Sequence, residues 1–438
     1  MDGKKSDDRD PAHTTPDGGN QSGIYRRPLA VVTILFFMWG FLTCLNDILV
    51  PHLKSIFDLT YTRAILIQFS FFSAYFLFSL PAAKLVDRIG YQRAMVAGLL
   101  TMSVGAFLFV PAATAASYRL FLTALIILAA GITALQVAAN PYVIVLGSPE
   151  TASSRLNLTQ AFNSLGTTIA PKIGGLLILS AAPMALQEMR SLSPAALQAY
   201  RTQQAASVKM PYIVIGVLLV LLALVIHRAR LPSIESAQHP LGKQLDDSLW
   251  RHRNLILGAV GIFTYVGAEV AIGSFLVNYL SQPGIAGLTS KVAAGYVSFY
   301  WGGAMVGRFI GSALLRKVKT GHLLGACAVC NVTLLLTSVF TNGQLAMWSI
   351  LAMGLFNSIM FPSIFTLGLA ELGPLTGDAS GILNIAIVGG AVVPLAQGFI
   401  ADHIGIHHAF LLPVVCYVYI LYYALAGSQP NSERVRYG

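Results

Sequence analysis

Twelve membrane-spanning helices in two six-helix bundles, an all-α membrane protein, is the fold class that three observations predict. The 438-residue chain carries 11% charged residues against 55% hydrophobic ones, where soluble domains hold about 25% charge. Its mean hydropathy is +0.68, and the apolar residues come in blocks close to the roughly 20 residues that cross a bilayer. The blocks divide into two sets of six around a polar middle. This charge content excludes a string of soluble domains.

In chain order, residues 1–27 form a cytoplasmic tail; 1–23 are polar, carry Pro11 and Pro16, and are expected to be disordered. The first apolar block starts near Pro28 and is too long for a cleavable signal peptide. Apolar runs and breakers place the spans at 28–50, 64–85, 94–113, 119–146, 157–180 and 211–227, then 254–280, 291–315, 321–341, 344–370, 379–400 and 407–426. These make an amino-terminal unit over 28–227 and a carboxyl-terminal unit over 254–426, with a cytoplasmic linker at 228–253 and a tail at 427–438. A second polar stretch, 181–210, contains the helical-looking segment Ser193 to Tyr200.

Orientation follows the Lys/Arg bias of short loops, which favours the cytoplasm. With the amino end inside, the inner segments hold 16 Lys/Arg once the distant Lys4, Lys5 and Arg9 are set aside, against 7 outside. Both termini are therefore expected in the cytoplasm. The net charge of +10 is spread over these loops with no basic face, so no nucleic-acid partner is expected. Cys44, Cys327, Cys330 and Cys416 lie in apolar stretches, and the Cys327/Cys330 pair has no second ligand pair, so no metal site is expected.

The two units repeat. Asn140-Pro141 precedes Gly147, and Phe361-Pro362 precedes Gly368 at the same spacing; Gly166 to Pro171 matches Gly389 to Pro394. The offsets are 221 and 223 residues, and one of 222 lays Asp47 on Glu269. Such repeats mark secondary transporters, whose substrate sites lie near the midplane where repeats meet.

Ionisable residues inside spans are costly and are functional candidates. Asp47, after Thr43 and Asn46, can take up a proton or join a sodium shell; the competing use is an acid at a water-facing helix end. Glu269 lies one turn from Tyr265. A carboxylate beside a ring suits a sugar, and a structural ion pair is its alternative. Asn157, Gln160, Asn163 and Thr167 recur on one face of the fifth span, and Gln136 pairs with Asn140 on the fourth. Amides serve polyhydroxyl ligands or bond helix to helix. Asn278, Asn357 and Asn384 are further candidates. The cluster Asp87-Arg88-Ile-Gly90-Tyr-Gln-Arg93 suits a cytoplasmic latch, and Arg308 falls in the corresponding place of the second half. Lys172 has no assigned role.

Asp87-Arg88-x-Gly90-x-x-Arg93 resembles the signature between the second and third helices of the major facilitator superfamily. Leu45-Asn46-Asp47-Ile48-Leu49-Val50-Pro51, Ala138-Ala139-Asn140-Pro141-Tyr142, Gln160-Ala-Phe162-Asn163-Ser164-Leu-Gly166, Tyr265-Val-Gly-Ala-Glu269 and Ser193 to Tyr200 resemble the fucose–proton symporter family. Glu150-Thr151-Ala-Ser-Ser-Arg155 and Gly273 to Tyr279 are most similar to its bacterial glucose/galactose branch. The resemblance spans residues 28–426. It implies alternating access between two six-helix bundles and a monosaccharide carried with a cation. In that family one central acid matches Asp47 and a second lies where this chain has Gln136, which cannot titrate.

The resulting expectation is an inner-membrane symporter for glucose and/or galactose, not an enzyme, without cofactor, and monomeric in the bilayer. Asp47 carries the coupling ion, a proton or sodium. Asn46, Gln136, Asn140, Gln160, Asn163, Tyr265, Glu269, Asn278, Asn357 and Asn384 bind sugar. Asp87, Arg88, Arg93 and Arg308 gate. A deoxysugar or amino-sugar carrier, and a non-transporting sugar sensor, are the alternatives.

Overall fold

Backbone groups in hydrocarbon must be satisfied within the chain, so long apolar blocks fold as helices. The computed structural model describes residues 27–42, 44, 61–115, 117–178, 192–206, 209–229, 231–232 and 249–429, with backbone alone over 61–68, 171–178, 198, 201–202, 204–206 and 290–291. The expected Asp47 and Asn46, and the side chain of Lys172, lie outside the described residues.

The long helices are α1 (Arg27–Leu42), α2 (Tyr61–Ile89), α3 (Tyr91–Thr114), α4 (Tyr118–Val145), α5 (Ala152–Ile178) and α6 (Lys209–Arg228) in the first half. The second half has α7 (Arg253–Leu280), α8 (Ser290–Leu314), α9 (Thr320–Phe340), α10 (Gly343–Gly368), α11 (Gly373–Ile404) and α12 (Ile406–Gly427). A 28-residue helix such as α4 is about 42 Å long, enough to cross a hydrocarbon core of about 30 Å. Among the described residues nine helices are long and apolar enough to span a membrane. α5 and α8 are long but less apolar and fall outside that set; some of their polar side chains, such as Ser154 and Ser312, bond to each other. A shorter helix, Pro194–Ala206, lies between α5 and α6.

Single glycines join α2 to α3 and α11 to α12: Gly90 has φ 79° and Gly405 φ 87°, a left-handed turn that other residues rarely adopt. At the same end of the molecule as Gly90, helix carbonyls without intrahelical partners are capped by side chains from a neighbouring helix. Gln92 Nε2 reaches the Ile226 and Ala229 carbonyls at 2.7 and 2.8 Å, closing the end of α6. Arg155 donates to the Val143 and Ile144 carbonyls at 3.2 and 2.6 Å, closing α4. Asn254 Nδ2 reaches the Leu367 and Ala370 carbonyls at 3.2 and 3.1 Å, closing α10.

Within the first bundle α3 and α4 cross at glycines. A Cβ on Gly131 would lie 2.5 Å from the Met102 amide nitrogen and 2.7 Å from the Gly98 carbonyl. Backbone cannot yield there without parting the helices. Gly131→Leu should therefore cost more than the roughly 1–3 kcal/mol of ordinary overpacking, while Gly302→Leu, with open space around it, should leave stability near wild type. Thermal unfolding of the two purified variants in one detergent checks this.

Candidate functional site

Two prolines set the geometry. Pro141 has no N–H for the Val137 carbonyl four residues back, and Pro362 has none for that of Ser358. Each freed carbonyl finds a side-chain donor. Ser380 Oγ of α11 donates to Val137 at 3.1 Å, and Arg308 Nε of α8 donates to Ser358 at 3.2 Å. α10 is interrupted at Ser358 and Ile359, and the Asn357 carbonyl lies 3.0 Å from the Tyr265 hydroxyl.

These breaks surround a cavity of about 140 Å³ lined by Trp39, Gln136 and Gln160 from the first half and Val266, Glu269, Arg308, Phe361 and Ile387 from the second. That is below the roughly 300–1,000 Å³ of drug-sized pockets, so it suits one small solute. Gln136 Nε2 donates to the Tyr75 hydroxyl at 2.6 Å, and its carbonyl oxygen takes no donor among the described residues. Gln160 Nε2 lies 3.4 Å from Asn140 Oδ1, and the buried Asn140 Nδ2 has no partner among the described residues. Glu269 Oε1 takes the Tyr265 hydroxyl at 2.8 Å. Arg308 also donates to the Ser164 hydroxyl of α5. Neither Glu269 nor Arg308 pairs with the other directly, so both present hydrogen-bonding capacity to the cavity.

The polar face expected on α5 divides among three neighbours. Gln160 faces the cavity. Asn163 Nδ2 donates to the Phe36 carbonyl of α1 at 3.0 Å, and its backbone abuts Gly40. Asn157 Nδ2 crosses to the Arg308 carbonyl of α8 at 2.7 Å. Beside it, Ser154 and Ser312 exchange hydroxyl-to-carbonyl bonds at 2.7 and 3.1 Å, and Thr320 meets Ser153 at 2.9 Å. These serines escaped the sequence reading because a hydroxyl in a span carries no distinctive signal. Thr167 turns back on the Ser164 carbonyl at 2.8 Å.

The remaining expected residues lie elsewhere. Asn357 is the hub of a buried network: its Oδ1 accepts from Asn331 and Tyr417 at 2.7 Å each, and its Nδ2 donates to Tyr300 at 2.7 Å. Tyr265 is buried and acts on Glu269 through its hydroxyl; the rings lining the cavity are Trp39 and Phe361. Phe361 belonged to the repeat pair, whereas nothing distinguished Trp39 from a core residue. Asn384 Nδ2 bonds the Ser380 carbonyl at 2.8 Å, with Oδ1 unpartnered among the described residues. Asn278 is exposed, about two and a half turns along α7 from Glu269. Asp87 touches the backbone position of Gly377 in the first turn of α11, while Arg88 and Arg93 are exposed. In the connection after α4, the Ser148 hydroxyl bonds Glu150 and holds its carboxyl below the usual range.

A family model described as Major Facilitator Superfamily matches residues 31–387. The glucose/galactose transporter of Brucella abortus is 53% identical over 419 residues, 96% of this chain and 98% of that one. The L-fucose-proton symporter of Escherichia coli is 37% identical over 416 residues, 93% and 95% of the two chains. A crystal structure of the transporter FucP in the outward conformation superposes with a TM-score of 0.85 at 35% identity, covering 92% of this chain and 99% of that one.

Stability measurements should separate the two kinds of amide. Asn357→Leu leaves three buried partners unpaired, at about 1–3 kcal/mol each, and should sharply lower the unfolding temperature of the purified protein. Asn140→Leu gives up one long bond and an unpaired donor, so it should unfold close to wild type. Similar losses in both would assign Asn140 to the framework.

Proposed function

This chain belongs to the Major Facilitator Superfamily, and on that premise we propose that it is an inner-membrane symporter that takes up glucose or galactose with a cation by alternating access. The observation that supports this best is the cavity itself. Residues of both halves converge there, and a carboxylate, a guanidinium, two amides and two aromatic rings surround a volume for one small solute. Hydroxyls of a pyranose need donors and acceptors together, and its C–H face needs a ring; Trp39 and Phe361 supply the rings. Similarity to proteins named glucose/galactose transporter and L-fucose-proton symporter favours a hexose over other polar solutes.

In this reading Glu269, Gln136 and Gln160 contact the sugar, Asn140 orients the Gln160 amide, Asn163 holds α5 against α1 beside it, and Tyr265 orients the carboxylate. Asp47 carries the coupling ion, for which a proton is preferred. The bonds joining α5 to α8 and α4 to α11 close the side of the molecule at which α6 ends and α7 begins, which we assign to the cytoplasm. Asp87 and Arg308 belong to that closure, with Arg88 and Arg93 on its rim. Transport then requires these bonds to break while the opposite side closes.

Three measurements test the proposal. Counterflow in proteoliposomes over a panel of hexoses, deoxysugars and amino sugars should select glucose and galactose, and an absence of counterflow with any sugar would leave a sensor instead. Asp47→Asn should abolish uphill accumulation while retaining exchange; accumulation driven by inward sodium at equal pH, unaffected by a protonophore, would replace the proton with sodium. Glu269→Gln loses a charge-assisted bond of about 1.5–3 kcal/mol, a roughly tenfold to hundredfold loss of sugar affinity, readable by calorimetry.

A further inference from the structure

Resting on that sugar site, we propose that Arg308 is a positioning residue that competes with the sugar for Glu269: when the seam between α5 and α8 opens, its guanidinium takes the carboxylate and drives the sugar out on that side only.

The geometry carries this in three steps. Arg308 has five N–H donors in a fixed fork, and its protein acceptors are the Ser358 carbonyl and the Ser164 hydroxyl. The remaining donors have no protein acceptor among the described residues, and the side chain lines the cavity. Glu269 lines the same cavity with one oxygen on Tyr265 and, among the described residues, no donor on the other. In this state, then, the cation is held at the seam and the carboxylate is left for hydroxyls.

The partners of Arg308 belong to different bundles. Ser358, on α10, and Glu269, on α7, lie in the same half as Arg308 and travel with it. Ser164 and Asn157, which hold its head and its backbone carbonyl, sit on α5 in the other half. Separating α5 from α8 strips both away at once. A half-buried cation that loses a partner in low dielectric is strongly destabilised unless an anion replaces it. Among the described residues lining the cavity Glu269 is the anion. Closing the seam returns Arg308 to Ser164 and frees the carboxylate for the next sugar.

The test is the half-saturation constant for sugar exchange measured from each face, in right-side-out and inside-out vesicles holding the full-length protein at equal ion concentrations. Wild type should bind more weakly at the face that opens by parting α5 from α8, by about tenfold or more. Arg308→Gln should erase that difference by tightening this face alone, and Arg308→Lys should keep it. Glu269→Gln should erase it as well, and adding Arg308→Gln should then change nothing. Ser164→Ala, which touches no charge, should weaken binding at the opposite face by releasing the guanidinium early; it also serves if Arg308→Gln fails to fold. Equal constants in wild type, an equal shift at both faces in Arg308→Gln, or a difference that survives in Glu269→Gln but not in Asp47→Asn, would overturn the proposal. Unaltered affinity at both faces in Glu269→Gln would instead remove the sugar-site reading beneath it.

Discussion

A carbonyl freed by proline inside a membrane has no water to turn to, and the arrangement of this protein's centre follows from that. Pro141 and Pro362, 221 residues apart in the repeat, each release the carbonyl four residues back. Val137 recovers a donor from Ser380 on the other bundle. Ser358 recovers one from Arg308, which in turn reaches across to Ser164. The same defect, copied with the repeat, has been satisfied in two ways, and both fall where the bundles meet. Helix breaks thereby serve as attachment points between halves that must otherwise move apart.

The polar residues of the spans sort by what they satisfy. Gln92, Arg155 and Asn254 close helix ends and stay within one bundle. Asn357 gathers Tyr300, Asn331 and Tyr417 into a network with little spare capacity, which fixes the α7, α8, α9, α10 and α12 packing around it. The seam differs in kind: Ser154 with Ser312, Thr320 with Ser153 and Asn157 with Arg308 are neutral bonds of moderate strength. Each contributes about 0.5–1.5 kcal/mol net. A closure built from several such bonds is firm collectively and can still open.

The fold was legible because span length and hydrophobicity are set by the bilayer, and because the proline and glycine repeat survived in both halves. The site was legible only in part. Glu269, Gln136 and Gln160 stood out as polar groups in apolar surroundings, and they line the cavity. The stripe on α5 was visible as helical spacing, but spacing names a face and not the helix opposite. Asn157, Gln160 and Asn163 consequently turned out to meet α8, the cavity and α1. Trp39 was invisible for the converse reason, since an indole at a cavity wall and one in a core look alike in sequence. The serines of the seam were silent because a hydroxyl can always bond its own helix, as Thr167 does.

The weak hydropathy of α5 and α8 bears on how the protein is made. The insertion machinery partitions helices by their apolarity as they emerge, and these two enter the bilayer with polar side chains, several of which bond across the seam. The ribosome completes α5 long before α8 exists. In that interval Asn163, Gln160 and Arg155 are held by what has already been synthesised: Phe36 of α1, Asn140 of α4 and the carbonyl end of α4. When α8 follows, it arrives at a face already oriented to receive it. Biogenesis of the first bundle therefore runs through bonds that stay within it, and the bonds of α5 that must break in transport form only once α8 has followed.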